Sequence, residues 1–87
     1  MSSARPFYGL ANFSEGTMVR IAERTVLEEF SRTWKYHNKL EPEQLEYGGR
    51  VAKVEEISMY HGGDILYRLE SIPGIWHQQL LRAANSD

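Results

Sequence analysis

The chain contains no cysteine, which removes disulfides, thiolate nucleophiles and cysteine-based zinc sites and fits a reducing compartment. It has no apolar run near the about 20 residues needed to span a bilayer. Residues 1–13 hold no apolar stretch that could form a signal-peptide core, so a soluble, cytoplasmic protein is expected. A dominant charge is missing too: ten basic and twelve acidic residues are interspersed for a net charge of −2, leaving no basic field to attract phosphate. Gly48-Gly49 and Gly62-Gly63 are too short for a phosphate loop, and Ser14, Ser31, Ser58 and Ser71 lack the context of a nucleophile elbow.

What is present describes one small folded domain. Hydrophobic residues make up 41% of the chain, aromatics 11% and charged residues 25%, an ordinary globular composition. At 87 residues, folding removes only about 60–65% of the surface the unfolded chain exposes, so docking on a partner or self-association would add needed burial. Residues 1–12 read as a flexible arm, 13–83 as the domain and 84–87 as a frayed tail.

A turn at residues 13–17 leads to a strand at 18–22, where Val19 and Ile21 alternate with Met18 and Arg20. Thr25-Val26-Leu27-Glu28 has the form of a capping box, and Leu27, Phe30 and Trp34 lie three and four apart, predicting a helix over about 26–37 that ends near Asn38. Pro42 opens a helical turn over about 42–46. In the strand that follows, the apolar phase of Ala52 and Val54 shifts to Ile57 and Met59, placing a β-bulge at Glu55-Glu56. His61-Gly62-Gly63-Asp64 reads as a hairpin turn, with Asp64 accepting a turn amide, and Ile65, Tyr67 and Leu69 as one face of the returning strand. Pro73-Gly74 is the next expected turn, followed by a short strand at 75–77, a tight link at Gln78-Gln79 and a closing strand at 80–82. The expected fold is therefore mainly β: an antiparallel barrel of about five strands with one inserted helix and one short helical turn.

In order, Gly16, Val19-Arg20-Ile21, Gly49, Val54, Leu66-Tyr67-Arg68-Leu69, Trp76 and a final leucine resemble an SH3-like barrel. With His37, Pro42, Tyr47 and Leu80 or Leu81 added, the run from 13 to 82 is similar to the SH3-like C-terminal domain of the nitrile hydratase β subunit. That family holds its metal on the other subunit, so the resemblance implies an accessory or partner subunit and brings no catalytic residue here. The helix at 26–35, and the lack of that subunit's long N-terminal helical part, depart from the family pattern.

The candidate chemistry is sparse. His37, His61 and His77 with Asp64 are metal-ligand types, but no two histidines stand at the i, i+4 spacing of a helical pair, and structural or surface roles are expected. Glu55 and Glu56 are neighbours on a strand and point apart unless the bulge turns both outward, so a solvated surface is their expected setting. No catalytic, metal or cofactor site is assigned. Aromatics beside polar groups offer large contact area at small entropic loss, and the candidate binding surface is Tyr36, His37, Tyr60, His61 and Trp76. Trp34 shares the stripe of Leu27 and Phe30 and is expected in the core; Trp76 is compatible with core or surface. The expected function is a non-catalytic protein-interaction or accessory subunit whose partner is another protein chain or a second copy, not nucleic acid or a membrane. The alternative is a subunit of a nitrile-hydratase-like or other metal-dependent enzyme whose site a partner or oligomer completes. Nucleic-acid binding would need Arg20, Lys35, Lys39, Arg50, Lys53 and Arg68 to cluster.

Overall fold

A computed structural model describes residues 10–60 and 63–84. Its fold is mainly β: strands β1 (Met18–Ile21), β2 (Val51–Met59), β3 (Ile65–Leu69), β4 (Ile72–His77) and β5 (Leu81–Ala83) form one antiparallel sheet in the order β4-β3-β2-β1-β5. Helix α1 (Arg24–Thr33) lies between β1 and β2, followed by a 3-10 turn at Pro42–Tyr47, and a shorter one at Gln78–Leu80 precedes β5. The sheet is open, with β4 and β5 as its edges, so it is barrel-like only in a loose sense.

The longest strand bends the sheet over its own core. Residues 51–53 of β2 pair with β1, residues 54–59 pair with β3, and the register with β3 shifts between Val54 and Glu56. This is the bulge expected from the phase change, and it returns Ile57 to the side of Ala52 and Val54, all three buried. Met59, expected on that inner face, is 43% exposed because the core stops one side chain earlier. The core joins Val19 and Ile21 of β1, Leu27 and Phe30 of α1, Ile65, Tyr67 and Leu69 of β3, Ile72 and Trp76 of β4, and Leu80 and Leu81.

Three local expectations are corrected. The hairpin between β3 and β4 turns at Glu70 and Ser71, with Ser71 at φ 64°, while Pro73 and Gly74 lie inside β4. Proline, which has no amide N–H, is tolerated there because β4 is an edge strand. The capping box is not at Thr25: α1 starts at Arg24 after Glu23, with no side-chain cap. The start is fixed from below, since a Cβ on Gly48 would sit 2.5 Å from the Arg24 backbone nitrogen, so only glycine lets that chain pass under the helix. A capping box forms instead on the 3-10 turn, where Glu41 and Gln44 exchange side-chain-to-backbone hydrogen bonds. The third correction is the end of α1, at Thr33 and not near Asn38.

Residues 10–12, read as arm, are tied down. The Asn12 amide donates to Gln78 Oε1 at 2.8 Å, Gln78 Nε2 donates to the Leu10 carbonyl at 3.3 Å, and Ala11 packs on the core. The rest of the arm and the tail beyond Ala84 lie outside the described residues.

Candidate functional site

The early end of α1 builds the site. The Trp34 amide still donates to the Phe30 carbonyl, at 2.8 Å, but the backbone of Trp34 is already extended, and its indole N–H donates to the His37 carbonyl at 2.7 Å. This closes residues 34–37 into a turn, and Asn38 follows with φ 51°, a left-handed conformation asparagine accepts more readily than most residues. The turn is pinned to the end of β4 because His77 Nε2 lies 2.8 Å from the Asn38 carbonyl oxygen. A carbonyl can only accept, so this nitrogen carries the proton.

Around these anchors the rings pack in a continuous cluster. Phe30 stacks on Trp34 with centroids 5.0 Å apart, and His77 meets both rings, at 4.9 Å from Phe30 and 5.0 Å from Trp34. Tyr36 and His37 stand edge-on to Trp34 at 5.0 and 5.5 Å. His37 then stacks on Tyr60 at 3.6 Å and an interplanar angle of 8°. Tyr60 and Asp64 come from the β2–β3 hairpin, where the Tyr60 amide donates to the Asp64 carbonyl at 2.9 Å. The Asp64 carboxylate, read from sequence as a turn acceptor, instead reaches His37: Oδ2 lies 2.8 Å from Nε2. The approach is not that of a directed hydrogen bond, since the buried Nε2 has no hydrogen-bond partner among the described residues; it is a close polar contact.

His77 is 2% exposed, and its pKa is lowered, first by burial and then by the neighbouring His37, against the opposing pull of the Asn38 carbonyl and Asp64. It is a neutral structural imidazole at neutral pH. Beside it a polar cleft of about 390 Å³ opens, walled by Asn12, Asp64, His77, Gln78 and Gln79. No serine or threonine hydroxyl bonds to His37 or His77, and no three His, Asp or Glu side chains converge as a metal-ligand set among the described residues. Among the described residues the arrangement has neither a nucleophile paired with a base nor an open carboxylate pair; it is a supported aromatic surface.

Of the residues expected at a binding surface, three come together: Tyr36, 67% exposed, Tyr60, 43% exposed, and His37, which is mostly covered and supports both through Trp34 and direct stacking. His61 lies outside the described residues. Trp76 does not join them. It is 0% exposed, opposite Tyr67 in the core, with its indole N–H donating to the Pro73 carbonyl at 3.2 Å. The interior of so small a domain needs one very large apolar side chain, and Trp76 fills that role while Trp34 remains partly buried at the rim. Sequence reasoning assigned no role at this surface to His77, Asp64 and Trp34; no helical or strand spacing links them, because α1, the hairpin and β4 meet only in three dimensions.

Comparison with protein-family models, with curated proteins and with solved structures finds no match to this chain.

Proposed function

We propose that the protein is a non-catalytic interaction module or accessory subunit that holds a polypeptide segment of a partner on the surface formed by Tyr36 and Tyr60. The observation that carries this reading is that these two exposed tyrosines rest on one packed platform of Trp34, His37 and His77. Rings already held in place give contact area with little further loss of side-chain entropy on binding. Asp64, with its side chain 47% exposed, sets a carboxylate beside the rings, which suits a segment carrying a cation.

An accessory role is also what the resemblance to the nitrile hydratase β-subunit domain implies. A peptide selected from a random library against the immobilised protein tests the reading. Tyr36→Ala and Tyr60→Ala are each expected to weaken its binding about tenfold, a loss of about 1.4 kcal/mol, with the fold intact by circular dichroism. Full affinity in the double variant would contradict the assignment.

A further inference from the structure

The outer face of β5-β1-β2 belongs to neither the core nor the His37 cluster. Directly opposed residues of antiparallel strands share a face, so the register sets Arg82, Arg20 and Val51 in one row and Met18 beside Lys53 in the next. Their alternates Val19, Ile21, Ala52 and Leu81 are buried on the other side. Three cations thus stand on one sheet face, with the exposed side chains of Met18 and Val51 between them.

Arg20 directly opposite Arg82 is a like-charge pairing, which destabilises a sheet. No ion pair among the described residues involves Arg20, Arg82 or Lys53. Arg20 is nevertheless held, since Nη1 donates to the Gly49 carbonyl at 3.0 Å, and its other N–H groups stay available. Beside the two arginines a cleft of about 250 Å³ is lined by Val26, which is 47% exposed, by Glu23 and Gln79, and at its floor by the buried Leu80 and Leu81.

We propose that this face docks an acidic, partly apolar segment of a partner polypeptide. A carboxylate of the segment lies across Arg20 and Arg82, and a neighbouring apolar side chain enters the cleft against Val26. The carboxylate offsets the repulsion between the two guanidinium groups and accepts charge-assisted hydrogen bonds from them, for which arginine is better shaped than lysine. Complementarity favours a polypeptide over nucleic acid. Three cations fall short of the roughly 6–10 phosphate contacts of a typical DNA-binding protein, and a net charge of −2 repels a polyanion. Apolar side chains interleaved with the cations match alternating acidic and aliphatic residues and have no counterpart in a phosphate backbone.

The proposal does not depend on the tyrosine surface, and its test uses different residues. The probe is a short fluorescein-labelled peptide alternating glutamate with leucine and valine, followed by fluorescence anisotropy. Binding is expected to weaken with added salt, to fall about tenfold in Arg82→Ala and further in Arg82→Glu, and to be unchanged in Arg68→Ala, a cation on β3. Arg82 is exposed, so its variants keep the fold. Equal binding of the same peptide with glutamine in place of glutamate, indifference to Arg82→Glu, or absence of binding would overturn the proposal. Tighter binding of a single-stranded oligonucleotide to the same arginines would overturn it in favour of nucleic acid.

Discussion

Gln44 is 1% exposed and holds the 3-10 turn against the edge of the sheet. Its Oε1 accepts the Glu41 amide at 2.8 Å and its Nε2 donates to the Ile75 carbonyl at 3.1 Å. Gly74 makes the room, because a Cβ there would lie 2.5 Å from Gln44 Cδ, and its φ of 93° is itself unfavourable for other residues. Gly74→Ala is therefore expected to cost about 1–3 kcal/mol, read as a lowered urea midpoint. A midpoint equal to wild type would mean that Gln44 does not seat there. His77 gives a pH prediction whose sign follows from its lowered pKa. Above the ordinary value of 6.5 both the folded and unfolded chains are neutral at this residue. Below it the unfolded chain takes up the proton first, so stability falls with falling pH until the folded state protonates as well. Melting temperatures taken between pH 7.5 and pH 5 should drop further for wild type than for His77→Gln; parallel curves would contradict a neutral buried imidazole.

Helix α1 connects the core to the tyrosine surface. Leu27 and Phe30 are buried on its inner stripe, and Phe30 also supports Trp34 and His77. Phe30→Ala should cost about 3–5 kcal/mol, close to the whole stability of a small domain, and wild-type melting would show a stripe facing water. This stripe was legible in the sequence because it depends only on spacing within one element, as was the bulge at Glu55 and Glu56. The end of α1 was not legible. Local propensity allowed the helix to run on to Asn38, but the local bond from the Trp34 indole to the His37 carbonyl and the tertiary bond between His77 and the Asn38 carbonyl together outweigh propensity. The turn at Glu70 and Ser71 was missed for a related reason: Pro73-Gly74 is a strong turn signal locally, yet glycine there serves the approach of Gln44 and proline is absorbed by an edge strand.

At the scale of the molecule, two surfaces are set on one small core. Among the described residues no helix is long and apolar enough to cross a membrane. The tyrosine surface draws on α1, the β2–β3 hairpin and the end of β4, so its exposed members, Tyr36 and Tyr60, could be suspected from their polar neighbours, whereas the role of His77 and the burial of Trp76 required the fold. The cationic face lies on β5-β1-β2, where strand register gathers charges scattered along the chain. Its members are only partly those a nucleic-acid reading required, with Arg82 joining Arg20 and Lys53 on this face.

The most direct test of the interaction reading is the footprint of a library-selected peptide on the amide resonances of the isotopically labelled protein. The account predicts that the largest shifts fall at Trp34, Tyr36, His37, Tyr60 and Asp64, the residues that form and support the tyrosine surface. Shifts confined to other parts of the molecule, with these residues unmoved, would contradict it.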